Sequence, residues 1–287
     1  MNDDTLRDLK KAIDEGFRAF TRTYGDPIEA FFSPLQSFLI SAERFMTQTP
    51  WPIILLLVAV IAWLASRSWK IVIGCVLTLL ALGYFGMWED TMKTISMIFV
   101  CTVLAIAFGI PIGIAMARWD RLRATINPIL DVMQTMPSFV YLIPVVMLLG
   151  IGRVPGLIAV VIYAIPPVIR LTDLGIRLVD KDVLEAADAF GSSAWQRLVN
   201  VQMPLALPTI MAGINQTIMM CLSMVVIAAM IGVQGLGQPV LKAIANQYFT
   251  LGVFNGLAIV GIAAIFDRVS QAYGKRLQKH LEVTHGN

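Results

Sequence analysis

Residues 182–204 read DVLEAADAFGSSAWQRLVNVQMP. Asp182 followed by Glu185 has the spacing of a helix N-cap with an acidic third residue, and Val183, Leu184, Ala186, Ala187 and Phe190 continue a short helix. Gly191 follows as a residue free to adopt positive φ and close that helix. Ser193 with Gln196 opens a second capping box, whose apolar side is Trp195, Leu198, Val199 and Val201, and Pro204 is expected to end it. The spacing therefore predicts two short helices set at an angle about a glycine. Small and apolar side chains would be presented on a unit suited to docking into a groove on another protein.

On both sides of this stretch the chain is apolar. Of 287 residues, 57% are hydrophobic, and the 22 basic and 19 acidic residues make up only 14%, against about 25% in soluble domains. Seven runs approach the roughly 20 apolar residues that a spanning helix needs, at 51–66, 71–88, 94–117, 130–151, 154–170, 205–232 and 251–267. Pro137, Pro144, Pro166 and Pro167 are expected to kink or break the fourth and fifth. The composition excludes a disordered chain, a disulfide scaffold and an ordinary soluble enzyme.

Charge sets the orientation. Beyond residue 50 there are 16 basic residues, of which 13 fall in alternate connections: Arg67 and Lys70; Arg118, Arg121 and Arg123; Arg170, Arg177, Lys181 and Arg197; Arg268, Lys275, Arg276 and Lys279. Lys93, Arg153 and Lys242 occupy the other side. The basic side is expected to be cytoplasmic, which puts the 171–204 connection and the C-terminus inside and the N-terminal tail outside. A basic pI of 8.8 thus points to the bilayer rather than to nucleic acid.

The first 50 residues carry 6 basic and 8 acidic groups and lack the n-region and apolar core of a secretory signal. Leu6, Leu9, Ile13, Phe17 and Phe20 form one helical stripe, with Thr5 and Asp8 as a capping box. Leu35, Phe38, Leu39, Phe45 and Met46 form a second, opened by Ser33, Pro34 and Gln36 as N-cap, N1 and N3. These two amphipathic helices fit a membrane interface and equally fit packing on the protein's own helices or on a partner.

No charged residue occurs from Pro204 to Val240, and Asp131, Asp173 and Asp267 fall near span ends, which argues against a proton relay. Paired carboxylates, H-E-x-x-H, G-x-S-x-G and a phosphate-cradling G-x-x-x-x-G-K-[ST] are all missing, so neither a membrane enzyme nor ATP binding by this chain is indicated. Cys75, Cys101 and Cys221 lie in apolar runs without metal-ligand spacing, and His280 and His285 lie in the tail, so no metal site is expected. Residues 232–237, GVQGLG, follow an apolar helix rather than a strand and read as a turn or re-entrant bend near the outer surface.

Glu185-Ala186-Ala187, three residues, Gly191, nine residues, then Val201-x-Met203-Pro204 resembles the pattern E-A-A-x3-G-x9-I-x-L-P of the permease subunits of binding-protein-dependent ABC importers. Val and Met stand where the pattern has Ile and Leu. The resemblance runs from about residue 50 to 270. Residues 134–138, QTMPS, and 232–237 are similar to the glycine betaine/choline/proline betaine branch, and the amphipathic tail is most like its choline importers.

The resemblance implies an all-α polytopic membrane protein of about seven transmembrane helices, with the type I ABC importer permease fold and N-terminal amphipathic helices. It divides into an amphipathic tail (1–50), peripheral transmembrane helices (51–93), a permease core (94–270) containing the coupling loop 171–204, and a cytoplasmic tail (271–287). It further implies a bacterial inner-membrane homodimer, two cytoplasmic ATPase subunits that hold the ATP and Mg, and an extracytoplasmic binding protein delivering choline or glycine betaine. No cofactor and no catalytic residue would belong to this chain. Glu185, Ala186, Ala187, Gly191 and Pro204 would couple it to the ATPase.

The candidate pathway groups are Gln134, Thr135, Ser138, Phe139 and Tyr141 around Pro137, with Asn215, Met219, Met220, Ser223 and Met224. Methionines this dense can line a changing passage or simply pack adaptably between helices. Importers of other small solutes such as amino acids or phosphonates, a secondary carrier, and a membrane assembly protein are the alternatives.

Overall fold

The structure, a computed structural model, describes the backbone of residues 3–285. The side chains of residues 3–6, 9, 10, 24, 26, 29 and 277–285 are not described, so the expectations for Thr5, Leu6, Leu9, His280 and His285 lie outside the described residues. Helices run in the order α1 (Asp3–Gln48), α2 (Trp51–Ser66), α3 (Trp69–Tyr84), α4 (Trp88–Arg118), α5 (Asp120–Thr135), α6 (Leu142–Leu149), α7 (Arg153–Ala164), α8 (Pro166–Arg177), α9 (Lys181–Ala189), α10 (Ala194–Gln196), α11 (Met203–Ala228), α12 (Gly237–Asn246) and α13 (Phe249–His285). No strand occurs among the described residues.

Four continuous stretches are long and apolar enough to cross a membrane: Trp88–Arg118, Arg153–Arg177, Ala194–Ile231 and Phe249–Arg276. Two bent pairs raise the number to 6, one joining Ala30–Gln48 to Trp51–Ser66 at 108° and one joining Asp120–Thr135 to Ser138–Leu149 at 113°. The expected run at 130–151 is therefore no straight span. It breaks at Pro137, passes through a 3-10 turn at Ser138–Tyr141 and resumes as the eight-residue α6. Pro166 and Pro167, expected to kink or break the next span, do interrupt its helix: α7 ends at Ala164, Ile165 intervenes, and the two prolines occupy the first turn of α8, where their missing donors cost little, while Arg153–Arg177 as a whole remains one candidate span. Arg121 and Arg123, expected in a loop, lie on α5, because α4 turns into it at the single extended residue Trp119.

The N-terminal expectation of two helices is corrected to one. α1 runs through Pro27 and Pro34, and Ser33 is an interior residue whose carbonyl accepts a bond from Ser37 Oγ at 3.1 Å. Tertiary packing overrides the local stop signal. Leu39 is buried in the main core, with Leu35, Ala42 and Met46 against it, while Phe31, Phe38 and Phe45 on the other faces remain exposed. Leu35, Leu39 and Met46 of the second stripe thus pack on the protein's own helices, while Phe38 and Phe45 do not. The main core collects Leu39, Ile98, Leu157, Met224 and Ile262 from α1, α4, α7, α11 and α13.

The polar contacts sort the connections into the two sets that the basic residues predict. At one end Arg153 donates to Glu43 Oε2 and to Gln234 Oε1, each at 2.7 Å, and Lys93 borders the same small cleft. At the other end Arg118 donates to the Ala194 carbonyl at 2.9 Å and Arg276 to the Leu64 carbonyl at 2.7 Å. Arg153→Ala is expected to lower the thermal stability of the detergent-solubilised protein by a few degrees, because it strands the half-buried Glu43 carboxylate. The swap of Glu43→Arg with Arg153→Glu should recover most of it; no recovery would mean the pair contributes through packing alone.

α8 lies wedged between α4 and α11. Its two neighbours approach it through glycines: a Cβ at Gly113 would sit 2.6 Å from Thr172 Cβ, and one at Gly213 would sit 2.9 Å from Leu171 Cβ. Small residues at such crossings let backbones close together where no hydrophobic force drives helices in lipid.

Candidate functional site

The 182–204 stretch folds as a helix, a glycine turn and a second helix that runs directly into α11. The cap lies two residues earlier than expected: Asp180, not Asp182, accepts the Asp182 N–H at 2.9 Å, which leaves Asp182 in the first turn, where its charge faces the positive helix end. α9 closes as a Schellman turn, with Ser192 N–H donating to the Ala187 carbonyl at 3.1 Å and Gly191 N–H to the Asp188 carbonyl at 2.9 Å. Gly191 holds φ +77°, in open space. The second capping box forms as expected: Gln196 N–H donates to Ser193 Oγ at 3.3 Å and Ser193 N–H to Gln196 Oε1 at 2.8 Å.

Pro204 does not end this helix. A π-helical stretch, Arg197–Gln202, precedes it, and helix continues from Ala194 to Ile231. The wider turn relieves the pressure of the proline ring on the preceding carbonyls and accommodates its missing donor. Leu198 is buried against Ile176, Ala206 and Ile210 and anchors the unit, while an Arg197–Asp188 ion pair ties its two arms. Two large apolar side chains stay outside among the exposed charges: Phe190 is 92% exposed and Trp195 66%. Glu185 and Ala186 share that exposure, and α9 buries no residue at all.

The pathway candidates divide. Gln134, Thr135 and Phe139 are exposed around the Pro137 break and Ser138 is half-buried. Asn215 and Met219 meet at a cavity of about 490 Å³ between α11 and α13, with Gln216, Ser270, Gln271 and Lys275 on its walls. There Asn215 Nδ2 donates to Asp267 Oδ1 at 3.1 Å, and its carbonyl oxygen accepts from Ser270 Oγ. Ser223 is exposed and its hydroxyl returns to the Met219 carbonyl at 3.1 Å, while Met220 packs half-buried on the core. Two candidates are corrected: Met224 is 0% exposed in the core, and Tyr141 is buried edge-on to Tyr163 at 5.6 Å with its hydroxyl on the Met133 carbonyl. Both pack rather than line a surface.

Sequence reasoning missed a charged cluster at the end of α8. Asp173, a span-end residue by its position in the sequence, has a carboxylate only 5% exposed that takes Arg123 Nε on one oxygen and Arg177 Nε on the other, each at 2.9 Å. The signal available was only an aspartate followed four residues later by an arginine. Arg123, its other partner, lies 50 positions away.

The family described as binding-protein-dependent transport system inner membrane component matches residues 109–279. The glycine betaine/proline betaine transport system permease protein ProW of Escherichia coli is 42% identical over 271 residues, covering 94% of this chain and 76% of its own length. The glycine betaine transport system permease protein OpuAB of Bacillus subtilis is 41% identical over 263 residues, 92% of this chain and 93% of its own. An inward-facing structure of the MetNI methionine ABC transporter superposes with a TM-score of 0.59 at 18% identity, covering 64% of this chain and 93% of that one. The chain thus belongs to the binding-protein-dependent transport system inner membrane component family: it is a multi-pass inner-membrane permease with the type I ABC importer fold, a transport component and not an enzyme.

Proposed function

We propose that this permease moves a quaternary ammonium solute of the glycine betaine class inward, driven by ATP hydrolysis on a partner subunit. The observation that carries the coupling half is the exposed, doubly capped helix–Gly–helix unit with Phe190 and Trp195 outward. In this reading Glu185, Ala186 and Ala187 form the face that seats on the ATPase, Gly191 sets the angle between the arms, and Pro204 with its π turn is where the arm joins the membrane helix. Two copies of the chain pair, two ATPases carry the ATP and Mg, and a binding protein outside the membrane delivers the solute.

The substrate half rests on the names of ProW and OpuAB, both of which carry glycine betaine. Choline, absent from those two names, comes second. A trimethylammonium group has no N–H to donate and is recognised best by aromatic faces, a task for the binding protein, so the permease needs only passing contacts. Phe139 at the Pro137 break and the Asn215–Met219 cavity offer such contacts, with Gln134, Thr135 and Ser138 beside the first.

Proteoliposomes holding the full complex should accumulate labelled glycine betaine only with ATP inside the compartment bearing the ATPase, and unlabelled proline betaine should compete. If the binding protein takes neither of these nor choline, but takes an amino acid or phosphonate, the solute class is wrong although the coupling reading stands.

A further inference from the structure

We infer that α5 is a push-rod clamped to the coupling loop through Asp173, so that Asp173, Arg123 and Arg177 position the Pro137 break as the loop moves; the inference rests on the coupling reading above. Three elements meet at Asp173. Arg177, at the end of α8, holds Asp173 and also donates through Nη2 to the Met116 carbonyl at 2.8 Å and to Asp120 Oδ1 at 2.6 Å, which fixes the α4–α5 corner. Arg123 ties the first turn of α5 to the second oxygen of Asp173. Arg118, beside that corner, holds the Ala194 carbonyl, at the start of the second loop helix. The loop, the α4–α5 corner and the inner end of α8 are thus joined by charge-assisted bonds, which fix geometry as well as contribute energy.

The clamp reaches further along α5. Arg170 on α8 pairs with Asp131 on α5, a second point of attachment two turns beyond Arg123. The 16 residues of α5 span roughly 24 Å, with Pro128 inside the helix and the Arg170–Asp131 pair holding the half beyond it. Its far end is Thr135, next to the break that carries Ser138 and Phe139. Displacement of the loop is therefore delivered to the break by a helix held to α8 on both sides of its interior proline, rather than dissipated in a flexible connection. Cores and packed interfaces of this kind have discrete arrangements and move as bodies. A buried carboxylate with both oxygens engaged by guanidinium groups from different helices is costly to separate.

Arg123→Gln tests this, because Arg123 is 41% exposed and its loss leaves the Asp173–Arg177 pair in place. The assembled complex should keep its basal ATP hydrolysis and ATPase binding. Solute moved per ATP should fall about tenfold, within the 5- to 150-fold range typical of coupling between sites. Arg123→Lys should recover part of it.

In parallel, spin labels on Thr125→Cys and Ala189→Cys, both exposed positions, report α5 against the loop; the native cysteines are buried. The wild-type background should give one narrow distance that is the same with and without ATP, and Arg123→Gln should broaden it. Wild-type solute-to-ATP ratios in Arg123→Gln, or a wild-type distance that changes with ATP, overturn the push-rod while leaving the coupling reading intact. ATP-independent uptake by the unmodified complex overturns both.

Discussion

Gly191→Leu should cut ATP-driven uptake by about 5- to 30-fold while the permease remains folded in the membrane. Gly191 sits at φ +77° with nothing within 4 Å of where a Cβ would be, so leucine meets no clash and the penalty is conformational. A left-handed conformation costs a side-chain-bearing residue roughly 1–2 kcal/mol, which corresponds to that range in the population of the correct turn. If the turn relaxes to negative φ, the bonds from Gly191 and Ser192 to the Asp188 and Ala187 carbonyls are lost, and α9 changes its angle to the second helix. The ATPase would then meet Phe190 and Trp195 in the wrong relative positions. Gly191→Asn, which tolerates positive φ, should retain most of the transport. Uptake into vesicles and co-purification of the ATPase measure both; unchanged ATP-dependent uptake by the leucine variant would remove Gly191 from the coupling machinery.

That turn was readable in the sequence because its determinants are local. Gly191 as a helix stop and the Ser193–Gln196 box are settled within three or four residues, and both stand in the structure. Most of the apolar runs were equally legible, since hydropathy acts on each segment alone; the run at 71–88 is the exception, giving only the 16-residue α3, so the seven expected spans become four, or six with the bent pairs. What escaped is non-local. Pro34 and Pro204 signal helix boundaries, yet helix runs on through both, because packing along the rest of each helix outweighs one missing backbone bond. Asp173 looked like an ordinary span-end residue because nothing in its surroundings announces Arg123. Met219 and Met224 lie on one largely apolar helix, where only the polar Asn215, one turn before Met219, marks the side that borders a cavity, while Met224 fills the core.

Gly113→Leu should remove the folded permease from the membrane altogether, an effect larger on stability than any change in the loop. A Cβ there would lie 2.6 Å from Thr172 Cβ and 2.7 Å from the Ile169 carbonyl oxygen. Neither obstacle is the free end of a flexible side chain: one is a branch point, the other backbone. No rotamer of the new side chain moves its own Cβ, so α4 and α8 must separate. Separation strips contacts from the crossing, and it also draws the Met116 carbonyl and Asp120 away from Arg177. Even alanine is expected to cost about 1–3 kcal/mol, the usual penalty for overfilling a packed interior, and leucine more. Gly74→Leu on α3 provides the control, because nothing lies within 4 Å of its Cβ position and leucine there extends an apolar exposed face. Membrane abundance and thermal unfolding in detergent should therefore match wild type for Gly74→Leu and collapse for Gly113→Leu. A Gly113→Leu protein with wild-type abundance and melting would mean that α4 and α8 do not cross at this glycine, and the wedge that holds the coupling loop to the bundle would have to be placed elsewhere.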